Sequence, residues 1–301
     1  MKDPYLLHIF NPTKNVSPFD VNMAYEADFD AVIPYSNVTV DEVYALTQDT
    51  IFSRGATGVK RTGIFIGGRE FGLAIDMLNQ AKSAMVPPFE VSVFADPSGA
   101  ITTAAAVIAA VEFWIKKQSG EDLQGKKVHI FGGTGPVGIC AGILASLCKA
   151  DVYITSHRGG DVAQRIADEY NGRYKVNMRG VASGTEEDIL TFLGESNVVI
   201  GAAKAGIRVL SQAQIAQAKS LIVAADVNAV PPAGIEGIDV NDMGKRLAFS
   251  ESDAVGIGAL AIGNLKYRIH HGLFQMMKEA TKPVYLEHLK AFELARSLVS
   301  E

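Results

Sequence analysis

The chain has 301 residues, 48% of them hydrophobic and 20% charged, with a formal net charge of −5. This balance excludes a disordered chain, leaves room for one large or two ordinary domains, and lacks the basic excess that nucleic acid or an anionic membrane would require. Cys140 and Cys148 are the only cysteines and share one apolar stretch, so they read as core thiols in a reducing compartment rather than a disulfide framework or metal site. No signal-type apolar region follows Met1, and no run of about 18 apolar residues suggests a bilayer span. A cytoplasmic, soluble protein is expected.

In chain order, Tyr5 to Phe10 reads as a buried strand and Asn11 to Ser17 as a polar loop. Ser17-Pro18 gives a cap and an N1 proline for a helix through Phe19, Asp20 and Met23. From pattern alone, Phe19 is the first apolar residue of that helix. Ala31 to Pro34 is a second strand, and Thr39-Val-Asp-Glu42 is a capping box for a helix from Val40 to Gln48. Thr62 to Ile66 is a strand, Phe71 to Met85 an amphipathic helix, and Val91 to Phe94 another strand. Strands alternating with helices predict a parallel α/β sheet. Asp96-Pro-Ser-Gly99 is a turn, after which Thr102-Thr103 opens a helix to about Lys117, the threonines reading as caps. The polar linker Gly120 to Gly125 divides the chain into a first domain, 1–118 joined by 266–301, and a second, 119–265.

The second domain opens on the most informative stretch. Lys127 to Phe131 is a β-branched and aromatic run leading into Gly133-Thr134-Gly135-Pro136-Val137-Gly138, and an apolar helical pattern follows. Gly133 permits the tight turn, Gly135 lets a pyrophosphate approach the backbone, and Gly138 lets the helix lie close on the strand. The free N–H groups and dipole of the helix start make an anion site. A Rossmann-type dinucleotide domain is expected, with NADP or NAD as cofactor.

The next strand ends in Ser156-His157-Arg158, with no acid. Enzymes that take NAD usually place Asp or Glu there, to bind the ribose hydroxyls and repel a 2′-phosphate. Ser156, His157 and Arg158 can instead donate to a phosphate, although Arg158 could equally point to solvent. Asp161 to Tyr170 reads as a helix. Val198 to Gly201 and Leu221 to Ala225 are later strands. Their loops, holding Ala203 and Asp226 to Asn228, face the cofactor in an open α/β sheet. Gly256-Ile-Gly258 starts a long helix to Met277, and a last helix packs along Tyr285, Leu289, Phe292 and Leu298. Lys266 and His270 are four apart on one helix face, where it leaves an apolar stretch. A solvated basic face and a functional pair are both open readings. His8, His129 and His288 read as core or surface residues. No Ser-His-Asp arrangement, HExxH or CxxC supports hydrolysis or a metal site.

Several stretches together resemble the bacterial NAD(P)-dependent methylene-tetrahydromethanopterin dehydrogenases. They are Ser17-Pro-Phe-Asp20, Thr62-Gly-Ile-Phe-Ile-Gly-Gly68, Thr102-Thr-Ala-Ala-Ala106, Gly133-Thr-Gly-Pro-Val-Gly138, Asp226-Val-Asn-Ala-Val-Pro-Pro-Ala-Gly-Ile235 and Gly256-Ile-Gly-Ala-Leu260, which span nearly the whole chain in order. Ser17-Pro-Phe-Asp-Val-Asn22 and Asp226-Val-Asn-Ala-Val-Pro-Pro232 resemble the branch that accepts either NAD or NADP. Arg158 departs from the acidic or glycine-rich strand ends of the NAD-preferring relatives.

The resemblance implies two α/β domains related to methylene-tetrahydrofolate dehydrogenases, with the active site in the cleft between them and a neighbouring subunit contributing. It implies oxidation of the methylene group of a tetrahydromethanopterin-type C1 carrier to the methenyl cation, in formaldehyde oxidation by methylotrophs, and a homo-oligomer, a trimer in the first instance. Phe19, Thr103, Lys266 and His270 match the catalytic positions assigned around the pterin, with Asp20 and Thr102 beside them as substrate-binding residues. A methylene-tetrahydrofolate dehydrogenase is the alternative of the same chemistry, and a non-catalytic NAD(P)-binding sensor is the alternative of another class.

Overall fold

A computed structural model describes residues 3–299. The chain opens with β1 (Leu6–Asn11), α1 (Pro18–Glu26), β2 (Ala31–Ser36), α2 (Val40–Phe52), the short α3 (Ala56–Val59), β3 (Thr62–Ile66), α4 (Phe71–Ser83) and β4 (Ser92–Ala95). A 3-10 turn at Pro97–Gly99 leads into α5 (Ala100–Ser119). Next come β5 (Lys127–Phe131), α6 (Pro136–Leu147), β6 (Asp151–Ser156), α7 (Gly160–Tyr174), β7 (Arg179–Ala182) and α8 (Glu186–Leu193). They are followed by β8 (Val198–Gly201), α9 (Gln212–Ala216), β9 (Val223–Asp226), β10 (Met243–Arg246) and β11 (Val255–Ile257). The chain closes with α10 (Ala259–Glu279), β12 (Tyr285–Leu286) and α11 (His288–Leu298).

Two compact units result. One holds the chain up to Thr102 with Tyr267–Leu294, the other Thr103–Lys266 with the chain from Ala295 onward. The division expected at 118/119 therefore moves into α5, because most of that helix packs with the second unit. The C-terminal residues from Ala295 also leave the first unit, where Arg296 forms a paired hydrogen bond to Glu112 of α5 at 2.7 and 2.6 Å.

In the first unit the strands form a sheet ordered β12-β4-β3-β1-β2, parallel throughout. Every residue of β3 is buried, as expected of a parallel strand covered on both faces. The predicted start of α1 holds, with Pro18 in its first turn, but the Ser17 side chain makes no capping bond. Glu42 does close back on Thr39, accepting from its N–H at 2.8 Å, and α2 runs on to Phe52.

In the second unit the order is β10-β11-β9-β8-β5-β6-β7, parallel except for the β10–β11 pair. Numbering its parallel strands by position in the unit gives the dinucleotide-binding order, with the switch point between β5 and β8. An antiparallel edge strand is added beyond. Three expectations are corrected here. Gly256-Ile-Gly258, read as a helix start, instead overlaps strand β11 (Val255–Ile257), paired to Val223–Ala225, and the helix begins only at Ala259. β-branched residues flanking Gly256 suit a pleated, fully buried strand better than a helix. Tyr285 belongs to β12 and not to the last helix. Finally, the stretch Pro97–Ser119 is long and apolar enough to cross a membrane by composition, contrary to the reading of no such run. Within the fold 72% of its apolar window is buried, so protein rather than lipid covers it.

His129 lies in the core of the second unit. Its ring is stacked between Tyr153 (4.6 Å between centroids) and Phe192 (4.4 Å), and Nδ1 meets Ser196 Oγ at 2.8 Å. Burial, reinforced by nearby Lys127, pushes its pKa down to about 3. The unfolded histidine takes up a proton near pH 6.5 and the folded one does not, so stability is complete above pH 6.5 and falls as pH drops towards 3. At pH 5 the loss is about 2 kcal/mol. Urea unfolding at pH 7 and pH 5 should show this loss in the native chain, and His129→Phe, which keeps the stacked ring, should remove it. An equal loss in both proteins would show that other groups carry the acid sensitivity.

Candidate active site

The turn after β5 is built as an anion cradle, with the roles of its glycines partly redistributed. The positive φ, +69°, is at Gly132 and not at Gly133, and a Cβ at Gly132 would lie 2.5 Å from the Ala202 carbonyl oxygen. Gly133 is crowded by Ile154 of β6 and the Ile130 oxygen, and Gly138 by the backbone of Gly132 and Gly133. At Gly135 an added Cβ would meet only the Gly132 oxygen, at 3.3 Å, so this position opens away from the protein. The Gly135 N–H is already donated to Gly132 at 3.0 Å, and Pro136 has no N–H. The donors left for an anion therefore come from Thr134 and from Val137 and Gly138, which open α6 before any intrahelical carbonyl is available.

Beside this turn, a cleft of about 390 Å³ is lined by Gly132, His157, Ser183, Thr185, Ala203 and Arg208, among others. These residues follow the carboxyl ends of β5, β6, β7 and β8, where ligands of open α/β sheets bind. His157 and Ala203 were expected there. Ser183, Thr185 and Arg208 were not, because Arg179–Ala182 and Glu186–Leu193 have no marked pattern in the sequence. The one available signal was Thr185 ahead of Asp188, a cap whose hydroxyl accepts from the Asp188 N–H.

Of the expected phosphate donors, Ser156 lies deepest. It is buried, and its hydroxyl accepts from the Arg158 N–H at 3.1 Å, shaping the turn. His157 and Arg158 are exposed on that turn. Asp226 and Asn228 also change role. Asp226 is buried and takes the N–H groups of Asn228 (3.1 Å) and Ile235 (3.0 Å). Burial pushes its pKa up, against the lowering effect of those backbone bonds. Asn228 is buried too, accepting from Gly206 and Val230 and donating to Pro232. Both are bonded into the loops that follow β8 and β9.

The first unit holds Phe19, Asp20, Thr102 and His270 of the other group, beyond the carboxyl ends of β1, β3 and β4. Phe19, 38% exposed, stands edge-on to the His270 ring, with centroids 5.5 Å apart and planes at 90°. Asp20 is buried next to the Gly67 turn. Asp96, a turn residue in the sequence reading, occupies the centre. Its Oδ1 accepts from the N–H groups of Ile101 (2.9 Å) and Thr102 (3.1 Å). Its Oδ2 accepts from Thr102 Oγ1 at 2.6 Å and meets His270 Nδ1 at 3.0 Å. Asp96, rather than the threonine pair, thus holds the start of α5, and Thr102 lies buried inside the helix with its hydroxyl engaged.

His270 is wholly buried among Phe65, Phe94 and Phe274, with Phe19 on its outer edge. With no exposed surface, its ring faces the core of the unit and holds its neighbours, where a catalytic contact was expected. Thr103 and Lys266 are half-buried, next to Thr102 and one helical turn before His270 respectively.

Residues 18–98 match the family described as methylene-tetrahydromethanopterin dehydrogenase, N-terminal. Across 290 residues, 96% of this chain and 97% of the other, the sequence is 43% identical to the NAD(P)-dependent methylenetetrahydromethanopterin dehydrogenase of Methylorubrum extorquens. This chain belongs to that family. A second relative, named bifunctional protein MdtA in the same organism, is 33% identical over 97% of this chain and 98% of its own. Among solved structures, shikimate 5-dehydrogenase from Listeria monocytogenes shares the fold with a TM-score of 0.52 at 15% identity, covering 93% of each chain.

The NAD(P)-dependent methylenetetrahydromethanopterin dehydrogenases are enzymes that use a dinucleotide, and the β5–α6 turn fits one. It has an open face at Gly135, unspent N–H donors at the start of α6, and a cleft alongside. Within this frame Arg158 is expected to serve the 2′-phosphate. Arg158→Ala should weaken NADP by roughly 10- to 100-fold, the value of one charge-assisted hydrogen bond, and leave NAD nearly unchanged. Titration of both cofactors against cofactor fluorescence checks this, and equal weakening would make Arg158 structural.

Proposed function

We propose that this chain oxidises methylene-tetrahydromethanopterin to the methenyl cation, transferring a hydride to NAD(P)+, as a step of C1 and formaldehyde oxidation. The observation that carries this reading is the 43% identity to a dehydrogenase of that name, sustained across both units. When bound, the nicotinamide supplies a two-electron acceptor at its C4. The methylene carbon loses a hydrogen with both electrons, and the two flanking nitrogens share the positive charge that remains. No proton moves in that step, which agrees with a first-unit cluster whose histidine is buried and holds its neighbours in place.

The chain's own task is then positioning and exclusion of water. Phe19 offers an exposed aromatic face for the pterin, braced from behind by His270. Thr103 and Lys266 would hold the polar edge, with Asp20 lining the same end of the sheet. Thr134, Gly135, Val137 and Gly138 would take the pyrophosphate, Gly133 and Pro136 setting its turn, while His157, Arg158 and Ala203 would border the adenosine half. The reading includes a homo-oligomer, a trimer on the strength of the motif resemblance, which light scattering would decide. It also includes a cytoplasmic setting, supported by two free cysteines, one buried and the other, Cys148, with its thiol pushed up to about 12.

The test is reduction of NADP and NAD, followed at 340 nm, with methylene-tetrahydromethanopterin and with methylene-tetrahydrofolate. Reduction with the methanopterin at the higher kcat/KM supports the reading. Preference for the folate would favour the alternative dehydrogenase, and reduction with neither would leave a binding protein.

A further inference from the structure

The Asp96 carboxylate is fully buried and draws donors from two separate helices. From α5 it takes two backbone N–H groups and the Thr102 hydroxyl, and from α10 it takes His270 Nδ1. A carboxylate at a helix start is favoured by the free N–H groups and the dipole there. An ionised carboxylate only accepts, and on that ground the His270 hydrogen is assigned to Nδ1. Its Nε2 is buried and has no hydrogen-bond partner among the described residues. The ring is walled by Phe65, Phe94 and Phe274, with Phe19 against its outer edge. The residues proposed to meet the pterin are each one short step from this tie. Thr103 follows Thr102, Lys266 precedes His270 by one turn on α10, and Phe19 packs on the imidazole.

We infer that Asp96 is a positioning residue of the pterin site, tying the first turn of α5 to His270 of α10 and so fixing the imidazole on which Phe19 packs. The inference rests on the pterin reading of that site. It assigns no proton transfer to either residue. Asp96 sets the histidine tautomer, the tautomer sets the ring orientation, and the ring sets the outer aromatic. An amide in place of the carboxylate would keep the size and the acceptor for the two backbone N–H groups. It would present N–H hydrogens to Thr102 Oγ1 and His270 Nδ1, forcing both to accept. The imidazole hydrogen would then move to Nε2, inside the phenylalanine cage.

Asp96→Asn tests this with two readouts that general loosening would not reproduce. Expected are a fall in kcat of tenfold or more with KM for NADP within twofold, and a change of the His270 ring signals in ¹⁵N NMR from the Nδ1–H to the Nε2–H pattern. A folded Asp96→Asn with kcat unchanged, or with Nδ1–H retained, overturns the inference. Should that variant not fold, Thr102→Val removes one donor and keeps the charge. A severalfold loss of kcat, recovered in Thr102→Ser, supports the tie, and unchanged kcat overturns it. If the native enzyme reduces no cofactor with the methanopterin, the pterin reading fails separately, and the tautomer readout alone decides whether Asp96 sets the histidine.

Discussion

Replacing Gly135 with leucine is expected to abolish measurable binding of both NAD and NADP while leaving the fold intact. The local geometry separates the two effects. Gly135 has φ −86° and ψ 167°, which any residue adopts, and its only close neighbour for a Cβ is the Gly132 oxygen at 3.3 Å. The larger side chain therefore extends into the open face where the pyrophosphate would lie. Losing two or three charge-assisted contacts there costs about 3–6 kcal/mol, a factor of 100 or more in affinity. Gly138 is the control. A Cβ there would sit 2.6 Å from Gly132 and Gly133 backbone atoms, so Gly138→Leu should unfold the turn and lower Tm. Calorimetric titration with each cofactor, beside thermal melts, checks both outcomes. Tight cofactor binding by a folded Gly135→Leu would remove this turn from the site.

Lys266→Ala is expected to lower kcat/KM for the pterin at least tenfold, about 1.4 kcal/mol or more of transition-state stabilisation. Lys266 stands half-buried on α10 one turn ahead of His270, and in the proposed function its ammonium would orient the polar edge of the substrate. KM for NADP should stay within twofold. Lys266→Arg should recover only part of the loss, since a planar fork does not reproduce a compact point charge. Steady-state kinetics with each substrate varied in turn would show it. A loss confined to the NADP KM would place this lysine with the cofactor instead.

Much of this could be read from the chain, for identifiable reasons. Thr62–Ile66, a run of β-branched and aromatic residues between turn signals, came out within its observed bounds. The strand–glycine–helix unit at Lys127–Leu147 was equally plain. What escaped notice were elements whose identity depends on partners far along the chain. β11 is three residues long and is a strand because β9 and β10 flank it, and β7 is defined by its pairing to β6.

Candidate residues divided in the same way. Phe19 keeps an exposed face, and His157 and Arg158 lie on the turn where the motif put them. Thr102, Ser156, His270, Asp226 and Asn228 are buried groups bonded to backbone or, for Thr102 and His270, to Asp96. Sequence spacing shows that a polar residue lies near a site. Only the fold shows whether its hydrogen bonds have already been made. Asp96 is the converse case, a turn aspartate whose importance rests on a histidine 174 residues later.

Direct hydride transfer is tested most plainly with methylene-tetrahydromethanopterin carrying deuterium at both methylene positions, turned over in ordinary water with NADP. The NADPH formed should carry one deuterium at C4 of the nicotinamide, and the methenyl product should keep the other. NADPH bearing solvent hydrogen at C4 would contradict a proton-free transfer between the two bound molecules.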